Sequence, residues 1–252
     1  MGLDLIKYSE FLVDNGIEIL AVATIEEAIA LRQAGIEKEI LMLSEVISND
    51  DLELLIKNDI ILTIGSIDKK NIVEQIANNL KKQAKAHIKI DTGFSRYGLL
   101  YTEKEQILEL INSTNNVKIV GMYTHFSKSI DEKWTRRQFK RFEICMKLVK
   151  DFFEKKDENM SEFIFHCSNT TAALKYPEMR LDAVRIGSGI QGRVLGEFSN
   201  IGLNKIGVLE TEVVKIKTLP KGYNVSYSNE FRTRRKTKIA IIPVRIYGWN
   251  KC

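Results

Sequence analysis

Residues 86–98 read AHIKIDTGFSRYG, and the reading of this stretch decides the reading of the chain. It begins as an apolar run of strand type, then sets Lys89, Asp91 and Arg96 around a turn at Gly93. A strand that ends in charges and a glycine is how a parallel barrel presents chemistry, because the C-terminal strand ends face the active site. From residue types alone a second account stands beside it: a surface strand end whose charges pair with one another.

Working outward, the same cycle of apolar run and amphipathic helix recurs on both sides. Residues 19–23 (ILAVA) form a short continuous apolar run, as expected of a strand buried on both faces. Thr24 and Glu27 have the spacing of a capping box and open a helix through Ala28, Ile29 and Leu31, which Gly35 ends. Further strand runs lie at 39–44, 60–66, 86–92, 117–126, 163–168 and 183–187. The longest helix is expected over 132–155, with Phe142, Met146, Val149 and Phe153 on one stripe, and Thr102 with Glu105 is expected to cap another. Seven strand–helix units follow a helix at 3–13 that has no strand before it. The expected fold is α/β: a TIM-type (β/α)8 barrel lacking its first strand, over residues 1–206. From 207 the pattern changes. Segments 209–219, 223–227 and 238–244 alternate or run β-branched, with a turn at Pro220, Lys221 and Gly222, so 207–252 read as the start of a C-terminal antiparallel β domain.

Composition narrows the class. Hydrophobic content of 44% with 28% charged residues is ordinary for a globular protein, and no apolar run approaches the roughly 18 residues of a membrane span. Cys145, Cys167 and Cys252 make an odd count without metal-ligand spacing, which points to a reducing cytoplasm. The formal charge of +5 is partly clustered, at Arg136, Arg137, Lys140 and Arg141 and at Arg232, Arg234, Arg235 and Lys236. Neither cluster forms an interleaved aromatic stacking platform or carries a recognisable reading motif, so solvated faces are expected and nucleic acid is not.

Several residues stand where strand ends should be. His125 closes the run GMYTHFSKS; such a histidine is either structural or part of a site on the same barrel end as Arg96. The segment FHCSNTTAAL places Ser168, Thr170 and Thr171 ahead of a helix. Residues 187–192 satisfy GxGxxG, yet glycines at 196, 202 and 207 and the lack of helical period argue against a dinucleotide fingerprint. A phosphate cup is the better account, since loops after the last two barrel strands commonly bind phosphate through backbone N–H groups; Thr170, Gly187 and Ser188 are placed for it. Arg185 is either a surface arginine or a ligand-facing one, and Tyr227 either a buried strand tyrosine or a catalytic one.

Four segments together, HIKIDTGFSRYG, YTHFS, VRIG and VSYS, closely resemble motifs of the alanine racemases, two-domain enzymes that use pyridoxal 5′-phosphate. The resemblance implies that Arg96 hydrogen-bonds the cofactor's phenolic oxygen and that Lys89, often carbamylated in the family, orients Arg96. It implies that His125 helps arrange Arg185 and Tyr227, and that Thr170, Gly187 and Ser188 hold the phosphate. Arg185 would face the pyridine nitrogen; a cation there keeps that nitrogen unprotonated and favours proton return over side reactions. Tyr227 would be the second catalytic base, offered from a partner subunit in a homodimer. The intact protein would interconvert L- and D-alanine and supply D-alanine for peptidoglycan. A racemase of serine, ornithine or lysine is the alternative, as is a non-catalytic cofactor-binding barrel, against which the strands of 209–244 argue. Two departures are expected to matter. The family's Schiff-base lysine, on its first strand, falls upstream of Met1, and KIAIIPV leads to RIYGWNKC rather than to a Gly-Tyr-x-Asp-Gly turn. A one-base shift at Arg245 recreates that turn, so 245–252 are expected to be out-of-frame translation and this fragment inactive. Family members often carry proline where this chain has Ile186.

Overall fold

The structure is a computed structural model describing residues 3–112, 114, 116–194, 201–207, 210–226 and 229–243. The chain forms two compact units, Met1–Leu203 and Asn204–Cys252.

The first unit alternates helix and strand. Helix α1 (Leu5–Asp14) is capped by Asp4, which accepts from the Ile6 and Lys7 N–H groups. Then come β1 (Ile19–Val22), α2 (Ile25–Gln33), β2 (Glu39–Met42), α3 (Asn49–Lys57), β3 (Leu62–Ile64), α4 (Ile67–Leu80) and β4 (Ala84–Asp91). A two-residue strand β5 (Leu99–Leu100) precedes α5 (Lys104–Ile111), β6 (Val117–Tyr123), α6 (Glu132–Lys156), β7 (Ile164–Asn169), α7 (Thr170–Lys175) and β8 (Ala183–Arg185). All these strands pair in parallel. β1 pairs with β2, and a bridge between Leu41 and Ile61 carries the array on through β3, β4, β6, β7 and β8 in that order. Among the described residues no pairing joins β1 to β8. This is the expected α/β barrel with one side open.

Two kinds of residue fill the strands' two faces. Ile40, Met42, Leu62, Ile64, Ile88 and Ile90 are buried beneath the helices. Helices reply with Leu31 of α2, Leu55 of α3, Val73 of α4, Leu110 of α5 and the Phe142–Val149–Phe153 stripe of α6. Each fully buried large side chain contributes roughly 1.5–3 kcal/mol. The opposite face starts as a small apolar layer of Leu41, Ile61 and Val120, then turns polar towards the C-terminal strand ends.

The box at Thr24 and Glu27 forms as expected, with Glu27 Oε2 accepting from the Ala23 and Thr24 N–H groups. The cap expected from Thr102 does not. α5 starts at Lys104 with Glu103 at its N-cap and no side-chain cap. The turn after β5 is tight, and Glu103 instead accepts from the Leu100 N–H at 2.6 Å.

The second unit holds β9 (Lys215–Leu219), β10 (Asn224–Val225), β11 (Phe231–Arg232) and β12 (Thr237–Ile241). β9 pairs antiparallel with β12 and β10 antiparallel with β11. Thr233 ties the turn together, donating to Pro220 O at 2.7 Å and accepting from the Tyr223 N–H at 2.9 Å.

Candidate functional site

Lys89 lies near the C-terminal end of β4 and is 2% exposed. Its amine donates to Ile90 O at 3.2 Å and stands 5.1 Å from the Tyr123 ring centroid. Burial, with the Arg185 charge added, brings its pKa down to about 7. Asp91 forms no ion pair with Lys89 or Arg96. Its Oδ1 accepts instead from the N–H groups of Gly93, Phe94 and Ser95 at 2.7, 2.9 and 3.1 Å, so the carboxylate shapes the loop. That loop folds back over Lys89. Gly98 has φ +107°, and a Cβ there would lie 2.6 Å from Lys89 O, so glycine is required by both conformation and space.

Arg96 is exposed on the loop, its guanidinium 4.7 Å from the Phe94 ring and 5.0 Å from the Tyr97 ring. Phe94 meets His125 edge-on at 5.4 Å. Burial, then the charge of Arg185, lowers the pKa of His125 to about 3, so the ring is neutral.

Arg185 ends β8 and is the hub. Its Nη1 donates to His166 Nδ1 at 2.5 Å, and its Nη2 to Thr124 O at 2.7 Å and Cys167 O at 3.2 Å, with His125 Nδ1 at 3.4 Å. Every one of these acceptors is uncharged. No described carboxylate pairs with Arg185, and burial lowers its pKa from the ordinary arginine value. A half-buried cation without an anion carries a desolvation cost that a ligand can offset.

The expected cup comes together beside it. Thr170, at the start of α7, accepts at Oγ1 from the N–H groups of Gly187 and Gly189 at 3.3 and 3.2 Å. Ser188 is exposed between them, and open space surrounds the position of a Cβ on Gly187. These amides already converge on an oxygen, the kind of atom a phosphate would supply. Tyr227 lies outside the described residues.

Lys89, His125 and Arg185 thus share one end of the barrel, with Arg96 joined through Phe94. Sequence reading gave no site role to Thr124, Tyr123, Gln138 or the pair His87 and His166. A signal for His87 was present: it precedes Lys89 by two residues, so both side chains stand on the same strand face.

Fold and site together define a class: a parallel α/β barrel with an anion cup and a half-buried arginine at its C-terminal mouth, followed by a separate β unit. Comparison with known proteins gives the family. The family model described as alanine racemase, N-terminal domain, matches residues 1–193, and that for the C-terminal domain matches 206–245. The chain belongs to the alanine racemase family, whose members depend on pyridoxal 5′-phosphate. It is 34% identical over 247 residues to an alanine racemase of Methanococcus maripaludis, covering 95% of this chain and 64% of that one. An alanine racemase of Halothermothrix orenii is also 34% identical over 247 residues, at 96% and 63% coverage. Among solved structures, that of Clostridium difficile 630 alanine racemase matches with TM-score 0.71 and 28% identity, covering 95% of this chain and 62% of that chain. The Bacillus anthracis alanine racemase with bound L-Ala-P matches with TM-score 0.69 and 26% identity, covering 96% and 62%. The chain therefore spans just under two thirds of the length of these relatives. No described helix is long and apolar enough to cross a membrane.

Proposed function

We propose that this chain carries the cofactor-binding part of an amino-acid racemase that interconverts L- and D-alanine, with pyridoxal 5′-phosphate held at the barrel mouth. Arg185 is the observation that carries the reading: a half-buried guanidinium held only by neutral acceptors. Such a group can donate to a neutral pyridine nitrogen but cannot leave that nitrogen protonated. A carboxylate there would do the reverse.

The residues present fit the group. Thr170, Gly187 and Ser188 would hold its phosphate, Arg96 its phenolic oxygen and Arg185 its ring nitrogen. When bound, the cofactor supplies an electron sink for the charge that develops when the α-proton leaves. Lys89, with a pKa near 7, has neutral amine available to take up carbon dioxide as a carbamate, and an anion there would orient Arg96. Tyr227 is proposed as the base on the second face, given across a homodimer. Alanine is favoured over serine, ornithine or lysine by the relatives' names, and cytoplasm by free, buried Cys145 and Cys167. A role in supplying D-alanine to peptidoglycan follows from that substrate.

The test is equilibrium binding of pyridoxal 5′-phosphate, followed by its absorbance and fluorescence. Arg185→Leu is expected to weaken binding at least about tenfold, the scale of one lost charge-assisted hydrogen bond. Equal affinity of the two proteins for the cofactor would sink the reading.

A further inference from the structure

We propose that His87 is a positioning residue that fixes the tautomer of His166 and thereby aims the Arg185 guanidinium. The proposal rests on the cofactor reading above only for the use made of Arg185, and follows from counting donors and acceptors. A guanidinium only donates, so His166 Nδ1, 2.5 Å from Arg185 Nη1, must present a lone pair. Neutral His166 then carries its hydrogen on Nε2. That N–H faces His87 Nδ1 at 2.9 Å, which must accept it, so His87 carries its own hydrogen on Nε2. The chain of donors runs one way only, from Arg185 and from His166 into His87.

Three further features serve this arrangement. The Tyr123 ring lies flat on His166, with centroids 4.8 Å apart and planes 12° from parallel, and holds the plane of the imidazole. Both histidines are neutral, since burial first and the Arg185 charge second lower their pKa. Space for His87 comes from Gly121: a Cβ there would lie 2.7–2.9 Å from three of its ring atoms. Gly121 reaches that place because the β4–β6 register shifts between Ala86 and His87, pairing His87 with Gly121. A bulge and a glycine thus accommodate one buried ring that touches no proposed ligand position. With Nη1 committed to His166 and Nη2 to Thr124 and Cys167, the Nε–H and the second Nη1 hydrogen remain for a ligand among the described contacts.

The experiment uses the 252-residue chain labelled with 15N-histidine. Imidazole 15N–1H correlation spectra should show both His87 and His166 with hydrogen on Nε2 at neutral pH. His87→Leu should move His166 towards the Nδ1–H tautomer and weaken pyridoxal 5′-phosphate binding roughly tenfold, about one buried hydrogen bond's worth. His87→Gln, whose amide oxygen can accept, should restore both, and Gly121→Ala should imitate His87→Leu by displacing the ring. The proposal is overturned if His166 carries hydrogen on Nδ1 in the unaltered chain. It is equally overturned if His87→Leu leaves the His166 tautomer unchanged. A chain that shows the stated tautomers and their response to His87→Leu, yet binds no pyridoxal 5′-phosphate, supports the relay and removes the cofactor reading instead.

Discussion

Charge at single residues sets the pH response of this barrel. His87 and His125 have folded-state pKa values of about 3, both lowered chiefly by burial, against an ordinary 6.5. Between pH 6.5 and 3 the unfolded chain therefore binds protons that the folded chain refuses. Stability is lost as pH falls through that window, each group contributing a slope of up to about 1.4 kcal/mol per pH unit. Above pH 6.5 these two histidines contribute no slope. Lys89 acts in a different window with the same sign: folded near 7 and unfolded near 10.5, it adds stability as pH rises between those values. Urea midpoints measured from pH 4 to 8 should fall steeply below 6.5. A midpoint unchanged between pH 7 and pH 5 would show that these histidines are solvated rather than buried neutral. Asp91 makes the complementary point about legibility: its charge was visible in the sequence, but its use on three backbone N–H groups depends on a loop path that spacing does not encode.

At the scale of elements, helix α6 does more than cover the sheet. Gln138, 0% exposed, donates to Thr92 Oγ1 and to His125 O, both at 3.3 Å, and accepts from the Ser127 N–H at 3.0 Å. Arg141, one turn on, donates to Thr92 O at 2.7 Å. One helix face thus ties the end of β4 to the end of β6, the two strands that carry Lys89 and lead into His125. Gln138→Leu keeps the volume and strands several buried polar groups. Destabilisation of roughly 1–3 kcal/mol, read from chemical denaturation, is expected, together with weaker cofactor binding. A change below about 0.5 kcal/mol would mean that solvent replaces the lost bonds. The strands and helices themselves were legible, because apolar runs and 3.6-residue stripes are local patterns. Thr24 and Glu27 read correctly for the same reason. Gln138, Thr124 and the two histidines did not stand out as a site, since their partners lie on other strands and only the three-dimensional register joins them. Thr102 failed as a cap because a tight turn after β5, not the cap spacing, sets where α5 begins.

Over the whole molecule, exposed edges outweigh the well-packed helical face. β1 and β8 end the parallel array, and among the described residues neither has a neighbouring strand on its outer side, so each presents a row of backbone N–H and C=O groups. Ala21 and Val184 are exposed on those strands. Such edges template association with other chains unless they are covered. The second unit adds to the hazard. Val213, Val214, Ile216, Phe231, Ile241 and Ile242 are all exposed, whereas Leu219 and Thr233 are the buried residues described there. Apolar side chains this exposed among the described residues gain little from burial to offset the entropy of ordering these strands. The purified 252-residue chain is therefore expected to self-associate, with a mass by light scattering that grows with concentration and strong binding of a dye for apolar surface. Charged substitutions on the open strand faces, Ala21→Lys with Val184→Lys, should reduce that growth, because edge lysines oppose strand pairing. A monodisperse monomer that melts in a single cooperative transition would contradict the argument, since it would require both edges and the β unit to be stable uncovered.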